Sequence, residues 1–275
     1  MEKFRLYVTT NKKFPFDSTS SWVARTGFER NLDLDGDYIC TGATTPNIAE
    51  LLPPIERGDE YRVGYLAQTI ATEYWILHHV HDIDYVGVTG YRRYPLFLHD
   101  RGDQNALIHT QATPETMQAI CGTHHLPVMA SVLSTYDVIV PRALTFAVSV
   151  KEQYLVSQIK TIWELFIDCI GDVVPQFKRY LRWFDLTYTS LYFGPMGMTP
   201  LGLFKEYADS YAKIVALMCI RAEKPFLVID EAARYRTDRW IGYLAERYYP
   251  FFLFASKVTS FQVPTVFLEA PVAVA

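Results

Sequence analysis

YRVGYLAQTIATEYWILHHVHDIDYVGVTG, residues 61–90, places a long amphipathic run directly before a short apolar one. Leu66, Ile70, Tyr74 and Leu77 recur near helical spacing, so 61–80 reads as a helix that presents one apolar face. Tyr85 to Val88, a short apolar run directly after it, then reads as a buried strand. A helix feeding a buried strand is the second half of a βαβ unit.

The remaining chain supplies the partners for that unit. FRLYVTT (4–10) is a strand by its aromatic and β-branched content, and the polar NKKFPFDSTSS after it is a loop. LDLDGDYIC (32–40) predicts a turn and a second strand, and TGATTPNIAELLPP a loop. Downstream, Thr113 and Pro114 are placed as N-cap and first residue of a helix, after a loop that could contain strands. YDVIVPRAL (136–144) is a buried strand. Ser149 to Ile170 is helical, with Pro175 barring continuation, and 186–200 is a strand broken by glycine and proline. Leu201 to Ile220 and 239–256 are further helices, the second expected to end before Pro250. The alternation of strands and helices predicts an α/β fold with a mixed, mostly parallel central sheet flanked by helices.

Composition narrows the function classes. The chain has 275 residues, 50% hydrophobic and 20% charged, enough to bury a large core. A formal net charge of −4 argues against a nucleic-acid binder, so no nucleic-acid partner is expected. Cys40, Cys121, Cys169 and Cys219 are widely spaced without a metal pattern, and no long apolar stretch occurs, which together read as a cytosolic protein with buried thiols.

Motifs with other readings were weighed one by one. Asp33, Asp35 and Asp37 alternate like calcium-loop ligands but lack the distal glutamate, so a solvated turn is preferred. His78, His79 and His81 are too closely spaced to converge from a helix on zinc, and a solvated helix end is preferred. The usual dinucleotide, phosphate-loop and nucleophile-elbow motifs are absent. What stands out is Tyr91-Arg92-Arg93-Tyr94 after the strand at 85–88, where open α/β sheets gather ligands. Guanidinium forks grip phosphate oxygens, and tyrosines add a stacking surface. On composition alone the plainer reading, one arginine paired with a carboxylate such as Asp84, is preferred.

Several stretches in order change that balance. AQTIATEYWILHHV (67–80) followed by DYVGVTGYRRYPLF (84–97) resembles the helix of type ELTALYWIWKN and the DYVGLCHYRRYF strand of bacterial capsular-polysaccharide and O-antigen glycosyltransferases. LYVTTNKKF (6–14), TTPNIAEL (44–51), YDVIVP (136–141), SLYFGPMGMTPLGLFKEYADSYAKIV (190–215) and DRWIGYLAERYYPFFL (238–253) are similar to further segments of that family, so the resemblance covers nearly the whole chain.

The resemblance implies a single GT-A-like, Rossmann-related domain over 1–257 followed by a tail over 258–275, and transfer of a sugar from a nucleotide sugar, a UDP-sugar being the expected donor and UDP-galactofuranose a candidate, to a growing glycan or lipid-linked glycan. It implies that Thr9, Thr10, Asn11, Lys12, Tyr91, Arg92, Arg93 and Arg239 meet the donor, and that the general base comes from Glu246, Asp185 or Asp238. Glu246 equally fits an ion pair with Arg239 or Arg247. GT-A enzymes usually hold Mn²⁺ or Mg²⁺ on carboxylates after the fourth strand, but Gly90-Tyr91-Arg92 offers none, and Gly90 stands where the family carries His. Arg92 and Arg93 are therefore expected to stabilise the leaving diphosphate themselves. Gln158 and Glu164 stand near another position where the family often has His. A noncatalytic nucleotide- or carbohydrate-binding protein of the same fold is the alternative, and a sugar-nucleotide hydrolase a third. Attachment to the inner face of the membrane through the aromatic tail, and the oligomeric state, stay open.

Overall fold

The computed structural model describes residues 2–9, 20–27, 39–40, 60–90, 92–97, 107–190, 195–222 and 240–269. The strands are β1 (Phe4–Thr9), β2 (Val23–Gly27), β3 (Ile39–Cys40), β4 (Tyr85–Gly90), β5 (Arg93–Pro95), β6 (Leu107–Gln111), β7 (Val138–Pro141), β8 (Leu144–Thr145), β9 (Thr189–Ser190), β10 (Thr199–Pro200), β11 (Ser260–Val263) and β12 (Thr265–Glu269). The α-helices are α1 (Glu60–His79), α2 (Pro114–Cys121), α3 (Leu126–Leu133), α4 (Val150–Leu155), α5 (Lys160–Val173), α6 (Trp183–Leu186), α7 (Leu201–Arg221) and α8 (Trp240–Ala255), with a 3-10 helix at Pro175–Tyr180.

The main sheet runs β10-β4-β1-β2-β3, parallel except for β10. β1 lies between β2 and β4, with Phe4 opposite Tyr85 and Thr9 opposite Gly90. The strands step outward from β1 through β2 to β3, and α1 then carries the chain back to β4 on the other side of β1. That reversal is the topological switch point, which opens a crevice outside the carboxyl ends of β1 and β4.

Period-two alternation divides the core between the two faces. Phe4, Leu6 and Val8 face a cluster containing Trp22, Tyr94, Met117 and Ile120. Tyr7, Val86 and Val88 face a larger, aromatic-rich cluster built on α1, α5, α7 and α8. β7 repeats the pattern, Val138 and Val140 on one side and Ile139 on the other. Strands buried on both faces read as continuous apolar runs, which is why β4 and β7 are recognisable in the sequence.

Several elements differ from the sequence-based expectation. Val23–Gly27 is the second strand, so the short strand at 39–40 is the third. The expected helix over 149–170 is two helices. In one continuous helix Tyr154 and Trp163 would lie roughly 13 Å apart along the axis; the break at 156–159 brings their rings to 4.9 Å. Ser149 caps α4 in a capping box, its hydroxyl accepting from the Glu152 amide at 3.3 Å and its own amide donating to the Glu152 carboxylate at 2.9 Å. Thr113 caps α2 as expected, accepting from the Thr116 amide at 3.2 Å.

α8 continues through Pro250 to Ala255 instead of ending before it. An internal proline costs about 3 kcal/mol. Phe251, Phe252 and Leu253 beyond it are all buried, and each buried large apolar side chain contributes about 1.5–3 kcal/mol, so packing outweighs the lost hydrogen bond. The segment expected as a tail supplies β11, paired with β7, and β12, inserted between β5 and β6.

The tightest backbone approach lies behind β4. A Cβ on Gly87 would collide with the Gly197 carbonyl oxygen, and one on Gly197, whose φ is +126°, with that of Ile139. A Cβ on Gly90 would meet nothing within 4 Å. Gly87→Ala and Gly197→Ala are therefore expected to lower unfolding free energy by more than about 2 kcal/mol, while Gly90→Ala changes it by less than about 0.5 kcal/mol. Urea titration of the three variants measures this, and a tolerated Gly197→Ala would contradict the close approach.

Candidate active site

The crevice is built from the ends of β1 and β4. Thr9 ends β1 beside Gly90, and its hydroxyl lies 3.0 Å from that of Thr72 on α1. Thr26, at the end of β2, bonds Thr72 at 3.0 Å and Thr9 at 3.4 Å. The three hydroxyls satisfy one another where buried polar atoms would otherwise lack partners. They tie α1 to the strand ends.

Beyond Gly90 the chain turns sharply. The Thr89 hydroxyl donates to the Arg93 carbonyl, and the Leu268 amide donates to the Arg92 carbonyl at 2.8 Å. Arg92 and Arg93 are thus fixed by their backbone between β4 and β12 at the switch point, and both side chains are half-buried. Asp84 is at the opposite end of β4, where its carboxylate accepts from the Lys3 amide at 2.7 Å. The pairing of an arginine with Asp84 does not occur.

A second group of polar side chains sits in the aromatic core beside α1. Glu73, next to Thr72, is half-buried, and desolvation raises its carboxyl from 4.5 to about 7. Tyr211 on α7 lies within electrostatic reach of Glu73, Tyr154 and Glu246; burial first, then these neighbours, hold its hydroxyl well above its ordinary range. That hydroxyl donates to the Ile241 carbonyl. The Tyr154 and Tyr207 hydroxyls are buried and have no hydrogen-bond partner among the described residues. Burial and then Glu73 raise Tyr207 in the same way.

Glu246 on α8 pairs with Arg247 at 3.0 Å, their side chains being 22% and 8% exposed. Arg247 also donates to the Tyr243 carbonyl at 3.0 Å and to the Gln153 side chain, and its guanidinium lies over the Tyr154 ring at 5.7 Å. The ion pair expected as one of two roles for Glu246 is therefore formed with Arg247, while the carboxylate still has accessible surface. Glu246 and Glu73 both act electrostatically on the Tyr211 hydroxyl, whose hydrogen bond goes to the Ile241 carbonyl.

Asp185 stands on the exposed helix α6 and pairs with Lys151 at 2.8 Å. Thr10, Asn11, Lys12, Tyr91, Asp238 and Arg239, with the acidic run at 33–37, lie outside the described residues. Glu164 makes an exposed i,i+4 pair with Lys160 at 3.4 Å. His81 accepts or donates at 3.2 Å to Lys205 on the surface.

Among the described residues no group of three His, Cys, Asp or Glu side chains could hold a metal ion. At the β4 end Thr89, Gly90, Arg92 and Arg93 present no carboxylate, and two guanidinium groups repel a dication, so these residues do not fit a metal there. Cys121, Cys169 and Cys219 are unpaired thiols, and burial pushes Cys121 to about 12 and Cys219 to about 11. They are inert rather than nucleophilic.

Residues 69–257, which contain the second half of α1, the arginine turn and α8, match the family model described as Domain of unknown function (DUF4422). The chain belongs to this family. Among solved structures, the apo form of a WbbM bifunctional glycosyltransferase superposes on this DUF4422 protein with a TM-score of 0.67 and 15% identity, over 98% of this chain. The chain spans 46% of the length of that glycosyltransferase. No curated protein sequence matches. The match establishes the GT-A-like α/β fold with a mixed, mostly parallel sheet.

Glu73 was not among the residues expected from sequence. Its signal is present, however: one carboxylate in the otherwise uncharged stretch Ile70-Ala-Thr-Glu-Tyr-Trp-Ile76. Because its folded pKa of about 7 exceeds the unfolded 4.5, the folded state holds the proton more tightly. The stability this group contributes is complete below pH 4.5 and is lost as pH rises through 7. Glu73→Gln, which mimics the protonated acid, is expected to stabilise the protein at pH 8 by on the order of 3 kcal/mol and to change little at pH 4.5. Denaturant titrations at the two pH values check this; an equal effect at both would place the titration elsewhere.

Proposed function

We propose that this protein is a glycosyltransferase that takes a nucleotide sugar, a UDP-sugar with UDP-galactofuranose as one candidate, and transfers the sugar to a capsular or O-antigen glycan or its lipid-linked precursor. The observation that carries the reading is the arginine pair at the switch point of a fold shared along 98% of the chain with a glycosyltransferase. In such sheets the ligand lies outside the carboxyl ends of the strands, where Arg92 and Arg93 follow β4.

Breaking the bond between the sugar and the diphosphate leaves negative charge on the departing phosphate oxygens. Fixed guanidinium groups stabilise that charge without reorganising, because the bonds of Thr89 and Leu268 already hold their backbone. No step is assigned to a metal at this position. Thr9, and with it Thr10, Asn11 and Lys12, belong to the strand end that faces the nucleotide in this reading.

The acceptor hydroxyl must lose a proton as it attacks, and Glu246 is the proposed base. Its pairing with Arg247 at 3.0 Å holds the carboxylate in place. Glu73, with a pKa of about 7, is the second carboxylate of the same group and is poised to exchange a proton at neutral pH. Asp185 and Asp238 remain candidates of lower rank, Asp185 because it is engaged by Lys151 on the surface.

The Glu246–Arg247 pair also fits a binding protein that has kept the fold without the chemistry. Thermal-shift measurement with UDP-sugars and other nucleotide sugars, in Mn²⁺ and in EDTA, separates the readings. A UDP-sugar response equal in both media, with glycosyl transfer to an acceptor glycan, is expected. Arg92→Ala is expected to lower turnover on the order of a hundredfold or more while leaving the melting temperature unchanged. Glu246→Gln is expected to abolish transfer but retain the donor response. Donor binding without transfer by the unmodified protein would favour the noncatalytic reading, and strict dependence on Mn²⁺ would sink the arginine mechanism.

A further inference from the structure

One face of the protein carries a group of exposed cations. Lys178, Arg179 and Arg182 are exposed on the 3-10 helix and the turn before α6, and Lys257 is exposed just beyond α8. None of the four makes an ion pair among the described residues. In a chain of net charge −4 this is a local excess of positive charge. The one nearby acid on α6, Asp185, is held by Lys151 at 2.8 Å.

Aromatic side chains share these segments with the cations. The Arg179 guanidinium covers the Tyr180 ring at 4.7 Å. Tyr180 lies 5.9 Å and Trp183 6.0 Å from Phe254, ring centre to ring centre. Leu186 is 64% and Phe254 49% exposed, although both are large and apolar. Arg182 and Leu186 are four residues apart across the single turn of α6, so they share a side of it, with Trp183 beside them.

Scattered exposed apolar residues need no explanation, but aromatic and aliphatic side chains grouped with such cations do. Tryptophan and tyrosine favour the boundary between lipid headgroups and acyl chains, and arginine and lysine bind headgroup phosphates. We propose that the face formed by Arg179, Tyr180, Arg182, Trp183, Leu186 and Phe254 seats this protein on an anionic phospholipid surface. The chain lies on the bilayer rather than in it: among the described residues no helix is long and apolar enough to cross a membrane. Leu186 and Phe254 enter the headgroup boundary, and the cations meet the phosphates around them. The tail beyond Val258, the sequence feature first considered for such a role, is largely taken up by β11 and β12.

The test is co-sedimentation of the full chain with phosphatidylcholine vesicles, with and without phosphatidylglycerol, without any sugar substrate. Its outcome is therefore separate from that of the glycosyltransferase reading. Binding is expected only to the vesicles containing phosphatidylglycerol and is expected to weaken as salt is raised. The double variant Arg179→Glu/Arg182→Glu should lower the partition coefficient at least about tenfold, and Leu186→Ser/Phe254→Ser should also lower it at low salt. Lys213→Glu, a charge reversal on α7, should leave it unchanged. Circular dichroism confirms that each variant is folded. Equal binding to both vesicle types, binding to neither, or equal loss in Lys213→Glu would overturn the proposal; so would retention of anionic-vesicle binding by the folded double variant. Binding to a soluble acidic protein or nucleic acid, with none to vesicles, would assign the face to that polyanion instead.

Discussion

The parallel pairing of β1 with β4 is the constraint from which the rest of the molecule follows. It runs from Phe4 opposite Tyr85 to Thr9 opposite Gly90. Because β2 takes the other edge of β1, the crossover through α1 has to reverse direction, and this reversal creates the crevice. The same pairing sends Phe4, Leu6 and Val8 into one cluster and Tyr7 into the other, so a one-residue slip would exchange the two cores. Such a slip would also remove Gly87 from Gly197, the contact at which backbone meets backbone without room for a side chain. Register, core and crevice are thus one specification.

On the larger face the aromatic packing serves a second purpose. Tyr207, Tyr211, Tyr248 and Tyr249 are buried side by side, with ring separations of 5.0 to 6.1 Å. Tyr248 and Tyr249 place their hydroxyls on Ser210 and Thr199, at 2.8 and 2.7 Å. Those of Tyr207 and Tyr154 lack such partners among the described residues, in the same neighbourhood as Glu73 and Glu246. Burying a hydroxyl without a partner costs roughly 1–3 kcal/mol, and the apolar rings around these groups offset it.

How much of this was legible depends on whether the signal is local. The α1–β4 hand-over could be read because helical spacing and a β-rich run adjoin, and α2 because Thr113 and Pro114 form a cap. Val23–Gly27 was hidden, since Arg25 and Thr26 give it no apolar alternation, and its place is set by pairing with β1. The break at 156–159 contains no proline or glycine; only the contact of Tyr154 with Trp163 requires it. Pro250 pointed the wrong way because propensity is local while Phe251 and Phe252 act through the tertiary core. The arginine pair was legible from its position after a strand, and Glu246 from the motif around it. Glu73 was missed because one carboxylate on an apolar helix gains meaning only when α7 and α8 close over it.

Gly90 links the fold to the chemistry. The space beside it is open, so neither sterics nor backbone angle demands glycine there. A histidine or a carboxylate would fit the backbone, and its absence is a matter of charge rather than shape. No anionic side chain stands between Thr89 and Arg93 in the sequence, so the two arginines contribute a positive field at this strand end. A carboxylate at Gly90 would instead draw a guanidinium to itself and lower that field. Carboxylates that hold a metal and arginines are thus two ways of stabilising the same leaving charge, and the residues Thr89, Gly90, Arg92 and Arg93 have the side chains of the second.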